Sequence, residues 1–256
     1  MTQTDPDIVD TANRSRRARM PKWCIWSGPA FTLLFAIGFW AVARMVPPPA
    51  PSFTAQQVAD IFASNRFRIR LGLMLSMASS TLFFPFVAVM SSYLRRIEGQ
   101  YSPMAYVQLA GGTASICVFI FPLMSLQAAN FRADRDPEVV LALSDIGWIP
   151  FVGLFGPPFM QCVAIAVAVL QDKRSIPIWP RWVGYFNIWI AILYLPGLLL
   201  VFFKSGPLAW NGLVCWWLPA AAFFSWILVM AWVMLSSPDA VTRKVSASPK
   251  NEVATS

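Results

Sequence analysis

The sequence predicts an all-α integral membrane protein. The expected form is a six-transmembrane-helix bundle with both termini inside, a short amphipathic outer helix after span 1, and proline-kinked outer halves. Three observations lead there. Of 256 residues, 57% are hydrophobic and 12% charged, where a soluble domain carries about 25% charged residues. Six stretches are long and apolar enough to cross a bilayer, which takes about 20 residues in a helix. The basic residues are unevenly divided between the two ends of those stretches, as the positive-inside rule requires.

The six predicted spans run approximately Trp23–Val46, Ile69–Leu94, Met104–Gln127, Gly147–Leu170, Trp182–Phe203 and Trp210–Leu235. They make one membrane domain over 23–236, with outer loops at 47–68 and 128–146. Polar tails at 1–22 and 237–256 are expected to be disordered and cytoplasmic. Thirteen of the twenty Lys and Arg residues fall on the side that holds both tails and the second and fourth loops. The other seven are Arg44, Arg66, Arg68, Arg70, Arg132, Arg135 and Lys204. This places both termini on the cytoplasmic side of a plasma (inner) membrane, bacterial by its general character. The first apolar run is too long for a signal-peptide core and is read as an uncleaved anchor.

Tryptophans near both ends of the spans match interfacial belts: Trp23, Trp26, Trp179, Trp182 and Trp232 inside, and Trp40, Trp148, Trp210, Trp216 and Trp217 outside. In the first outer loop, Thr54 and Gln57 have capping-box spacing. Val58, Ile61 and Phe62 behind them share one helical face, which predicts a short helix. In the second, Pro137 followed by Glu138 marks a helix start. Ala110-Gly111-Gly112 in span three predicts a close helix crossing.

Several chemistries are excluded or unsupported. The chain has no histidine, so His-ligated metals, His general bases and Ser-His-Asp triads are ruled out. Cys24, Cys117, Cys162 and Cys215 are scattered through apolar segments and read as small buried hydrophobes rather than metal ligands. No phosphate-binding loop or dinucleotide fingerprint occurs. No cofactor, metal or nucleic-acid partner is expected. The expected partners are membrane lipids, a small amphipathic ligand or other membrane subunits.

Candidate ligand-binding residues are Arg66, Arg68, Arg70, Asn130, Asp145, Tyr194, Lys204 and Asn211. The three arginines run against the positive-inside rule and open a helix, where the dipole disfavours cations. They predict either an anion site or ion pairs with Asp134, Asp136 and Glu138. Asp145 is an ionisable group at the mouth of span four, a functional candidate at the membrane edge or an ordinary solvated cap. Lys204 and Asn211 flank the Gly206-Pro207 turn, and Tyr194 projects from span five. Pro122, Pro150, Pro157, Pro158, Pro196 and Pro219 sit in the middle or outer half of their spans, which predicts an irregular, polar outer half with an outward-facing cavity. The first functional expectation is binding or transport of a lipid-like or small amphipathic molecule there. The alternatives are an accessory or assembly subunit of a larger complex, and a membrane enzyme using Asp145 as acid or base.

Overall fold

The computed structural model describes residues 22–237; the predicted tails lie outside the described residues, apart from Lys22 and Ser237 at their inner ends. The described residues are helical with no strand, and six helical rods are long and apolar enough to cross a membrane. They run Lys22–Val42, Arg66–Glu98, Pro103–Phe131, Pro137–Leu170, Arg181–Phe202 and Leu213–Ser236, which matches the six predicted spans in number and order.

Most rods are composite, and the sequence explains where they break. Span one is α1 (Lys22–Ala36) followed by a π-helical turn over Ile37–Val42. The predicted short helix is α2 (Ala55–Ser64), and Thr54 and Gln57 form both bonds of the capping box. Span two is α3 (Arg66–Ser80) and α4 (Phe83–Glu98). Ser79 and Ser80 both donate to the Ser76 carbonyl, and Thr81 to that of Ala78. Such local bonds compete with the helical ladder, and Pro85 stands in the first turn beyond the break. Span three is the unbroken α5 (Pro103–Phe131). Span four is α6 (Pro137–Gly153) and α7 (Gly156–Leu170), divided at Leu154-Phe155. Span five is α8 (Arg181–Tyr194) tightening into a 3-10 helix over Leu195–Phe202. Span six is a π turn, Leu213–Trp217, that runs into α9 (Leu218–Ser236).

Four expectations need correction. α5 runs past the expected end of span three at Gln127 to Phe131, and with α6 starting at Pro137 as expected, only 132–136 lies between the two helices. Two of the prolines begin a helix rather than kink one. Pro157 and Pro158 occupy the first turn of α7, where the missing N–H costs nothing, while Pro219 sits where the π turn of span six passes into α9. Not all the tryptophans expected at the interfaces are anchors, since Trp148 and Trp179 are fully buried and Trp210 is buried as well. Cys117 departs similarly from the other cysteines, being exposed while they are buried.

The spans pack closely where side chains vanish. At Gly72, a Cβ would lie 2.4 Å from both the Ala43 nitrogen and the Gly38 oxygen, so α3 crosses the π turn of span one backbone to backbone. At Gly112 a Cβ would meet Val87 at 2.5 Å and the Gln161 amide at 2.8 Å. This is the predicted crossing of span three, made against α4 and α7. Between the rods runs a continuous aromatic core. Phe119 stands 5.3 Å from Phe35, 5.4 Å from Phe31 and 5.4 Å from Phe223, centroid to centroid. These spacings suit edge and tilted ring contacts.

Candidate functional site

The irregular helical segments gather at one end of the bundle, the end that carries the first, third and fifth loops. The π turns at Ile37–Val42 and Leu213–Trp217, the break at Leu154-Phe155 and the 3-10 helix at Leu195–Phe202 all lie in that half. Each departure from α-geometry shifts side chains out of register with their neighbours. What results is a cavity of about 520 Å³, a volume ordinary for a small-molecule site. Spans one, three, four, five and six contribute to its wall. Phe35, Phe39, Phe119, Phe151, Trp216 and Phe223 are among its aromatic lining residues, and exposed Trp40, Leu154 and Trp217 lie at its rim.

The lining is almost wholly carbon, and no charged residue contributes to it. Its polar side chains are Thr32, Ser115, Tyr194 and the Cys215 thiol, apart from the indoles of the tryptophans. Three of these four are already bonded. Thr32 donates to the Gly28 carbonyl at 3.2 Å, Ser115 to the Gly111 carbonyl at 2.8 Å, and Cys215 to the Pro196 carbonyl at 3.3 Å. Tyr194 differs. Its ring is 6% exposed, yet its hydroxyl makes no hydrogen bond among the described residues. The oxygen is not sealed off by the protein around it, so Tyr194 offers the cavity one unused donor and acceptor.

Of the eight predicted site residues, Tyr194 alone lines this cavity. The arginines are engaged elsewhere, in an arrangement that neither sequence-based alternative foresaw. Arg70 Nη2 donates to the carbonyls of Asn130 at 2.9 Å and Phe131 at 2.7 Å. Arg66 donates to those of Arg132 at 2.7 Å and Ala133 at 3.3 Å, and Arg135 to that of Ala128 at 2.7 Å. The last carbonyls of a helix have no partner within it and carry the negative end of its dipole. The arginines that open α3 therefore cap the neighbouring end of α5. Asn130 and Gln127 return the contact, donating to the carbonyls of Arg66 and Arg70, each at 2.9 Å. Arg68 reaches the Val42 carbonyl at 3.3 Å. Among the described residues none of these arginines pairs with Asp134, Asp136 or Glu138, and the Asp136 side chain instead caps α6.

Asp145 lies in the third turn of α6, half-buried, and does not line this cavity. The charge of Lys204 acts on it, without a direct ion pair. Asn211 does not cap span six: Gly212 is the residue before the π turn. That hairpin is held by the Trp210 indole, which donates to the Pro49 carbonyl at 2.8 Å and so ties the loop between spans five and six to the loop between spans one and two. No group of three or more Cys, Asp or Glu residues that could hold a metal occurs among the described residues. Comparison of the chain with protein-family models, curated proteins and solved structures gives no match.

Proposed function

We propose that this membrane protein binds or carries an uncharged, largely apolar molecule with one hydrogen-bonding oxygen. The supporting observation is the wall of the 520 Å³ cavity, apolar throughout apart from four polar side chains and the indoles, with the Tyr194 hydroxyl as the one of those four that makes no hydrogen bond among the described residues. A charged headgroup placed there would lose its hydration without compensation. A neutral alcohol, carbonyl or ester bearing a hydrocarbon body would lose little and would gain one hydrogen bond. On the basic-residue asymmetry the cavity lies in the half of the bundle remote from the cytoplasm. This narrows the class of lipid-like or amphipathic ligand expected from the sequence to its neutral members, and it moves the ligand's polar end from the arginines to Tyr194.

The test is native mass spectrometry of the protein purified in mild detergent, with solvent extraction in parallel. A chemically uniform, neutral molecule retained at one copy per chain supports the proposal. A bare chain, or one retained only together with other polypeptides, overturns it in favour of the accessory-subunit alternative.

A further inference from the structure

A second depression, of about 600 Å³, lies on the face shared by α3 and α5, away from the cavity. Its walls are two stripes at helical spacing, Phe67, Leu71 and Met74 on α3 and Met124, Ala128 and Phe131 on α5. From Phe67 to Met74 it descends about 10 Å along the helix, at 1.5 Å per residue. Five of these six residues are exposed on the surface that a bilayer would cover, and Ala128 is half-buried. Arg70 stands in the groove, near the loop end.

That end is electropositive. It carries Arg66, Arg68, Arg70, Arg132 and Arg135 against the carboxylates of Asp60, Asp134, Asp136 and Glu138, and none of these arginines is in an ion pair among the described residues. Capping α5 leaves donors over. Arg70 uses Nη2 alone; its Nη1 makes no hydrogen bond and is not buried. A guanidinium with spare donors beside an apolar furrow matches a phosphate joined to a hydrocarbon chain. We infer that the α3–α5 groove binds one anionic phospholipid, its acyl chain between Leu71 and Ala128 and its phosphate at Arg70, with Arg66 and Arg132 beside it. The lipid completes the junction between spans two and three, and this site is independent of the neutral ligand proposed for the cavity.

The full-length protein in mild non-ionic detergent is titrated with phosphatidylglycerol, or with phosphatidylcholine of the same chains, and lipid retention is read by native mass spectrometry. Phosphatidylglycerol is expected to be retained about tenfold more strongly, the scale of one charge-assisted hydrogen bond, and the preference should shrink as salt rises. Glycerol phosphate, which lacks the chains, should not compete. Ala128→Trp and Leu71→Trp fill the groove from opposite walls and leave every hydrogen bond of the arginines in place. Either variant that keeps its helical circular dichroism should lose the preference. Equal retention of the two lipids by the wild type, competition by glycerol phosphate, or an unchanged preference in a folded tryptophan variant would each overturn the inference.

Discussion

Arg70 at the start of span two and Phe131 at the end of span three are joined by a 2.7 Å hydrogen bond from guanidinium to carbonyl. This bond and its neighbours give the three arginines that open span two backbone carbonyls as partners. Replacing Arg70 by Gln leaves the part-buried carbonyl of Asn130 short of a donor, while the exposed one of Phe131 can turn to water, and stability should fall by about 1.5 kcal/mol. The bonds of Arg66 are exposed, so Arg66→Gln should cost less than about 1 kcal/mol. Thermal unfolding in detergent, followed by circular dichroism, measures both; equal losses would show that burial does not set their contribution.

Gly72 is the tightest point of the crossing between spans one and two. Gly72→Ala sets a methyl 2.4 Å from two backbone atoms, which cannot move aside as a side-chain tip can. A loss of about 2–3 kcal/mol is expected, at the upper end for overpacking. Gly156→Ala is the control, since nothing lies within 4 Å of the added carbon, and it should change stability by less than about 0.5 kcal/mol. The same unfolding assay compares the two.

Asn187 and Trp226 form a buried polar pair between spans five and six: the indole N–H donates to Asn187 Oδ1 at 2.9 Å, and both residues are at most 1% exposed. Asn187→Leu strands that N–H and should destabilise by about 1–3 kcal/mol. Adding Trp226→Phe removes the stranded donor. The double variant should then be less destabilised than the two single losses added together, a coupling that a double-mutant cycle reads directly.

Tyr194→Phe keeps the shape of the cavity wall and deletes its free hydroxyl. Affinity for dodecanol should drop about fivefold, the worth of one neutral hydrogen bond, while that for dodecane stays constant. Competition against a bound fluorescent hydrocarbon measures both. An equal change for alcohol and alkane would show that the hydroxyl does not contact the ligand.

The six spans, α2 with its capping box, and the helix start at Pro137 were legible because each rests on a local pattern: hydropathy over about 20 residues, one Thr-x-x-Gln spacing, one proline with an acid behind it. The close approach at Gly111-Gly112 was legible for the same reason. The arginine cap was not, because its acceptors are backbone carbonyls of another span and carry no residue type to read. The polarity of the irregular half was misjudged for a related cause. Gln127 and Asn130 do lie at that level, but they point to the α3–α5 junction, while the aromatic residues face the cavity. Tyr194 could be named from its position in span five; its lack of a partner depends on what stands opposite, which no single segment reveals.

The central claim is that the aromatic cavity holds a neutral apolar molecule, and photolabelling locates such a molecule directly. The purified protein is irradiated with a diazirine-bearing dodecanol, and labelled peptides are mapped by mass spectrometry. The prediction is saturable labelling within 151–158 and 213–224, the segments that carry Phe151, Phe155, Trp216 and Phe223, competed by unlabelled dodecanol and abolished by Ala220→Phe, which fills the cavity. Labelling spread over exposed faces such as Trp23, Trp189 and Phe202, unsaturable and unchanged in Ala220→Phe, would contradict it.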